Sequence, residues 1–342
     1  MSFRGFVIGA ELILTIAAAA PVARSVEPLS PEEAARYADL EARPLQTFTN
    51  VDLADYLWLR SADFAAKGET PNPADEVGRW ATKAIGQPYR LGASRFDYSE
   101  SDCVVATERA IAMALSADWD SYYRLCERLR HKDGQVDFLE RNFMTLTQWV
   151  PNNAWLLRDI TAELGPVTTF PHVAAPKRFY SRLSFGELED TEVGRAKAVA
   201  KAAKVAAAAE RIATAETYIA REDIPGVLNK LRTGDVALVM RKFRSSTGDP
   251  LIDCDHMGIV AVREDGAVFF AQGAPPRARK EKLLTFQERF DRVAGFKFLR
   301  LVDDAKQAVA NEARRVTGSA PIPTPERQDA TNGAMRARRA AQ

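Results

Sequence analysis

His256-Met257-Gly258-Ile259-Val260-Ala261-Val262, then Glu264-Asp265-Gly266, then Ala267-Val268-Phe269-Phe270-Ala271-Gln272 is the stretch that decides the fold. Two short runs rich in Val, Ile and Phe flank a Gly-containing turn, the pattern of a β-hairpin. Asp235 to Met240 before it and Phe296 to Val302 after it carry the same signature. The last third therefore predicts four antiparallel strands.

The chain ahead of them has a helical period. Ser30-Pro31-Glu32-Glu33 supplies an N-cap, an N1 proline and first-turn acids. Thr49-Asn50 opens a second helix with Leu53, Tyr56, Leu57 and Leu59 as its apolar stripe. Ala74 to Ile85 forms a third, stopped by Gly86-Gln87-Pro88. Further helices are expected from Cys103 to about Leu115, from Trp119 to Leu129 and from Trp155 to Leu164. The alanine-rich segment Glu192 to Tyr218 reads as a long solvated helix. Helices first and strands last predict an α+β fold.

Four regions follow. Residues 1–23 read as a signal peptide or an uncleaved N-terminal anchor: Arg4 precedes an apolar run from Gly5 to Ala20, with small residues at Ala18-Ala19-Ala20 and Pro21-Val22-Ala23. Glu11 weakens that run as a membrane segment. Residues 24–73 are a helical or linker region, 74–302 the main domain, and 303–342 an Arg-rich tail expected to be disordered. No later run reaches the roughly 18 apolar residues of a spanning helix, so membrane contact is expected through the N-terminal segment alone.

Composition narrows the function. A net charge of +1 over 342 residues lacks the basic excess of nucleic-acid-binding proteins. Three cysteines do not make a disulfide scaffold. The cysteines and three histidines lack ligand spacing, so neither metal nor cofactor is expected.

Chemistry centres on Cys103. Ser99, Ser101 and Asp102 are N-cap types, which puts the cysteine in the first helical turn, where free N–H groups and the helix dipole favour a thiolate. A buried small residue at a helix start is the alternative. His256 heads an apolar strand and needs a polar partner there, and Gln272 on the next strand can supply an amide. Cysteine, histidine and an orienting polar group are the nucleophile, base and tautomer-fixing set of thiol hydrolases. A hydrogen-bonded core histidine and a strand-end amide facing water are the competing roles.

Four pieces in order resemble the NlpC-type papain-like cell-wall hydrolases, and among them the N-acetylmuramoyl-L-alanine amidase-like family. They are Gly86-Gln87-Pro88-Tyr89-Arg90-Leu91-Gly92 with Ser101-Asp102-Cys103 and Glu108; His131-Lys132-Asp133-Gly134 with Arg141-Asn142 and Gln148-Trp149-Val150-Pro151-Asn152-Asn153; Thr217-Tyr218-Ile219 through Leu231-Arg232-Thr233-Gly234-Asp235; and Asp255-His256-Met257-Gly258-Ile259. The resemblance implies a papain-like fold, Cys103 as nucleophile, His256 as general base and acid, and Gln272 as the orienting third member. It implies Tyr89 lining the acyl pocket. Arg141, Trp149 and Asn153 are candidates for holding muramyl or peptide groups, since arginine forks a carboxylate and Trp stacks on sugars. Val104-Val105-Ala106-Thr107 departs from the family's more usual aromatic-containing run, and its third catalytic position is commonly histidine.

The expected function is that of an exported, periplasmic or envelope enzyme acting on peptidoglycan, cutting the amide between the lactyl group of N-acetylmuramic acid and L-alanine. Alternatives are a D-glutamyl-diamino acid endopeptidase of stem peptides, a non-catalytic envelope-binding protein of the same fold, and a thiol acyltransferase acting on lipids.

Overall fold

The computed structural model describes residues 27–136, 141–174, 199, 203, 212–244, 250–315 and 321–340. Its centre is an antiparallel sheet made of β1 (Leu157–Asp159), β2 (Thr168–Ala174), β3 (Ile212–Ala220), β4 (Val236–Arg244), β5 (Pro250–Val262), β6 (Val268–Gln272), β7 (Arg279–Lys282) and β8 (Val293–Leu301). The order is β2-β3-β8-β4-β5-β6-β7, with β1 also pairing β8. The expected hairpin turn is present: Arg263 N donates to Ala267 O, and Gly266 takes a φ of 78°, where a side chain would be strained.

Against one face lie α1 (Pro31–Ala42), α2 (Asn50–Lys67), α3 (Pro73–Lys83), α4 (Cys103–Leu115) and α5 (Trp119–Arg130). Ser30 and Thr49 cap α1 and α2 with reciprocal Glu33 and Asp52 bonds, as their sequences require. Leu53, Tyr56, Leu57, Val77, Trp80 and Ile111 from the helices share a core with Val236, Leu238, Met257 and Ile259 from the sheet. The other face buries Ala237, Val239, Val260, Phe270, Phe296 and Phe298 against Leu283 and Phe286 of α6 (Leu283–Arg289) and Ile224, Val227 and Leu231. Because β4 is covered on both sides, Val236-Ala237-Leu238-Val239-Met240 is apolar throughout instead of alternating.

Three expectations are corrected here. Residues Trp155 to Leu164 are not one helix: Leu157–Asp159 is a strand, and only Thr161–Leu164 is helical. Their helical spacing arose because Leu156 and Leu157 serve one core while Ile160 and Leu164 serve the other. Ile212 to Tyr218 is strand rather than helix end, because it pairs with β2 and continues onto β8, which outweighs alanine's helical preference. The expected helix over most of Glu192 to Arg211 lies outside the described residues, as does the apolar run Gly5 to Ala20. Among the described residues, no helix is long and apolar enough to cross a membrane.

The third correction concerns the tail, which forms α7 (Ala305–Arg315) and α8 (Pro325–Ala340). It packs Ala305, Val309 and Ile322 against the helix-side core and adds polar contacts that a loss of aromatics does not reveal. Glu312 accepts from the buried Arg128 at 2.6 Å, and Asn332 donates to Phe96 O. Arg336 and Arg339 pair with Asp97 and Glu100 at 2.8 and 2.9 Å. Asp329 accepts from Asn50 N at 2.9 Å and from Asn50 Nδ2 at 2.7 Å, satisfying free donors at the start of α2. Asp329→Ala is expected to cost about 1–3 kcal/mol, because Asn50 is fully buried and loses its acceptor. A urea melt should show a lower midpoint at unchanged slope; an unchanged midpoint would show that α8 adds nothing to α2.

Candidate active site

The start of α4 is laced into place by backbone bonds. Ser101 N donates to Pro88 O at 2.9 Å, Arg90 N to Ser101 O at 2.9 Å, and Tyr89 N to Pro276 O at 3.0 Å. Asp102 caps the helix through Val105 N at 2.8 Å, and its other oxygen accepts from Gly92 N at 3.0 Å. One carboxylate thus ties the Tyr89 loop to the nucleophile helix. Behind it, the buried Arg109 guanidinium gathers the carbonyls of Ser94, Arg95, Asp97 and Glu100, so the 94–100 loop closes around a single side chain.

Cys103 sits where β5 and β6 part. Their ladder ends at Ile259 and Ala271, two positions short of where Met257 would meet Gly273. Val260 N bonds toward Asp235 on the β4 side, so Met257 N, an odd number of residues along, points toward β6. That N–H has lost its strand partner and points at the Cys103 sulfur. A Cβ on Gly273 would lie 2.6 Å from Asp102 O, so only glycine admits the helix start so close. The helix therefore wedges its first residue between the strands that carry His256 and Gln272.

Helix-start position alone predicts a readily formed thiolate, and this is corrected. Burial, and then the Asp102 charge, push the Cys103 thiol up to about 12, against the opposing pull of the Met257 and Val104 N–H groups. Tyr89 is half-buried nearby; burial first, then the neighbouring Cys103 and Asp102, push its hydroxyl up to about 12.

The register of β5 shifts next to the site. Val239 pairs with His256 and Met240 with Cys254, so Asp255 is an extra residue. Without that bulge Cys254 and His256 would share a face. With it, Cys254 joins the helix-side core, while His256 stacks on Phe286 and meets the edge of Phe270 on the far side. The imidazole Nε2 lies 2.5 Å from Gln272 Oε1. Burial, and after it the nearby Arg241 and Arg279 charges, lower the ring to about 4 against the favourable Gln272 bond, so it is neutral at pH 7. Among the described residues no hydrogen bond joins the ring to the thiol, and Nδ1 is the nitrogen left over.

Sequence reasoning missed the polar line behind Gln272. Gln272 Nε2 donates to Glu281 Oε1 at 2.8 Å, and the same oxygen accepts from Arg279 Nε at 3.1 Å and Arg289 Nη2 at 2.6 Å. Glu281 and Arg279 alternate with lysines on an edge strand, which reads in sequence as a solvated charge run.

The structure does not bring the other candidates to the thiol. Trp149 is buried, donating from Nε1 to Glu108 Oε1 at 3.0 Å, so its ring has no free face for a sugar. Asn153 is fully buried and braces Leu129 O and Trp149 O at 3.0 and 2.9 Å. Arg141 bridges to His131 at the C-terminal end of α5, its guanidinium 4.5 Å from the Phe143 ring centre. Glu108 likewise belongs to the interior, between Trp149 and Arg130.

A thiol wedged at a helix start into an antiparallel sheet, beside a histidine strand, marks this as an α+β protein with the layout of cell-wall amidase structures. The chain belongs to the N-acetylmuramoyl-L-alanine amidase-like family, whose model matches residues 81–285. That family is one of cell-wall hydrolases with a peptidoglycan substrate. Solved structures share the fold. A Legionella pneumophila protein with the DUF1460 family model has a TM-score of 0.63 at 16% identity, over 74% of this chain and 94% of that one. Two crystal structures of an N-acetylmuramoyl-L-alanine amidase from Bacteroides uniformis give 0.52 and 0.51, at 17% and 16% identity. They cover 68% and 67% of this chain and 99% and 98% of those. A search of curated protein sequences returned no match.

Proposed function

We propose that this protein is an exported papain-like cysteine hydrolase of the NlpC type that cuts peptidoglycan at the amide between the lactyl group of N-acetylmuramic acid and L-alanine. The observation that carries the reading is Cys103 held at the fork between two strands, one bearing His256 and the next the Gln272 that engages its Nε2.

With Nε2–H donating to the Gln272 carbonyl, Nδ1 keeps its lone pair and is the base. Both groups start neutral, so once the ring, which packs on the Phe286 side of the sheet, brings Nδ1 to the sulfur, the proton leaves sulfur for Nδ1 as the S–C bond forms, and not in a preceding ionisation. The Cys103 N–H, in the first helical turn, serves the developing oxyanion. The imidazolium then gives its proton to the leaving L-alanine amine. Water, losing a proton to Nδ1, splits the thioester to free the muramyl carboxylate and the thiol. Tyr89 lines the acyl side. Export through the 1–23 segment fits a substrate outside the cytoplasmic membrane.

Digestion of purified muropeptides followed by mass analysis tests the bond. Free muramyl sugars with intact stem peptides are expected. Shortened stems on intact muramyl groups would instead make it a D-glutamyl-diamino acid endopeptidase, and intact muropeptides would leave only a binding protein.

A further inference from the structure

We propose that Glu281 is a positioning residue that sets the tautomer of His256 through the Gln272 side chain, an inference that rests on the catalytic reading of His256. A primary amide has two ends of nearly equal shape, one an acceptor and one a double donor. Gln272, 3% exposed, could meet the imidazole with either. If the carbonyl faces the ring, Nε2 must carry the proton and Nδ1 is free to take one from sulfur. If the NH2 faces it, Nε2 becomes the acceptor, the proton moves to Nδ1, and the ring is the wrong tautomer for the thiol.

The amide and imidazole cannot choose between these alone. Glu281 can, because an ionised carboxylate only accepts. It lies 2.8 Å from Gln272 Nε2, so the NH2 must turn to it and the carbonyl must turn to the ring. Arg279 at 3.1 Å and Arg289 at 2.6 Å donate to the same oxygen and fix where Gln272 meets it. The side chain itself is largely covered, at 14% exposure, which protects the bond from competing water. The order Arg279/Arg289, Glu281, Gln272, His256 therefore runs from two fixed cations to one lone pair.

Histidine-selective ¹⁵N NMR of the full-length protein reads the tautomer without substrate, with His256→Gln used to assign its signals among the three histidines. The parent should show Nε2 protonated and Nδ1 bare. Glu281→Gln keeps the shape but can itself present either amide end. It should give a tautomer mixture and a fall in kcat/KM on the order of 10- to 10²-fold, within what a general base contributes. Glu281→Asp retains an acceptor-only group and should restore the parent tautomer and most of the rate. Two results overturn the proposal: an undisturbed Nε2–H tautomer in Glu281→Gln, whatever its activity, or an Asp variant as disturbed as the Gln variant. Neither depends on the hydrolase reading, which stands or falls separately with the activity of Cys103→Ala.

Discussion

Cys103→Ala should leave no measurable cleavage of muropeptides, a loss on the order of 10⁴-fold or more, because the group that forms the covalent intermediate is gone. The fold should survive. The side chain is small and 8% exposed, and replacing sulfur by hydrogen leaves a void worth about 1 kcal/mol. Circular dichroism melts run beside the activity assay separate the two effects. Cys103→Ser should be almost as inactive, since a hydroxyl is a far weaker proton donor to Nδ1. The high thiol pKa adds a second expectation: iodoacetamide should label Cys103 slowly near neutrality, with a rate that climbs across about pH 7 to 10 and no plateau. Rapid labelling at neutral pH would show a stable thiolate and replace proton transfer in the attack by a preformed ion pair. Sustained turnover by pure Cys103→Ala protein would remove the cysteine mechanism altogether.

Local rules in the chain made much of this architecture legible. Ser30, Thr49 and Asp102 are caps whose partners lie within three residues, so sequence contains the whole interaction. The β5–β6 hairpin declares itself through one turn. Cys103, His256 and Gln272 stand out in the sequence as reactive or polar types, and the His256–Gln272 contact is the part of that expectation the geometry displays. What stayed hidden depends on distant partners. The bulge at Asp255 arises from the register against β4, and it reverses the face on which Cys254 lies relative to His256. The thiol's raised pKa comes from burial by a strand more than 150 residues away, which overrides the helix-start argument. Trp149 and Asn153 looked like ligand-binding types, but the same donors that bind sugars and carboxylates serve equally to close a core. α7 and α8 are held by polar pairs with residues such as Arg128 and Asp97 and by small apolar contacts such as Ala305 and Val309, a pattern composition averages away.

His256→Ala should cost on the order of 10²- to 10⁴-fold in kcat, since the proposed mechanism gives the thiol proton to Nδ1 of that ring. Its pH dependence is the sharper test. The parent should keep activity as pH falls until the imidazole protonates at about 4, and lose it below, because the imidazolium has no lone pair for the thiol. The residual rate of His256→Ala should lack that limb. Stability should follow the same group. In the unfolded chain the ring titrates near 6.5 and in the fold at about 4, so between those values the unfolded state binds more protons. Parent stability therefore falls as pH drops through that window, by up to ~3 kcal/mol at about 1.4 kcal/mol per unit of difference, and is flat above it with respect to this group. His256→Gln, which keeps a polar side chain between Phe286 and Gln272 but cannot ionise, should lose less stability over the same range in urea titrations at stepped pH. Parallel pH curves for parent and His256→Gln would mean that the ring titrates in the fold as it does in the unfolded chain, near 6.5, and the acid limb of activity would then lie there rather than at about 4.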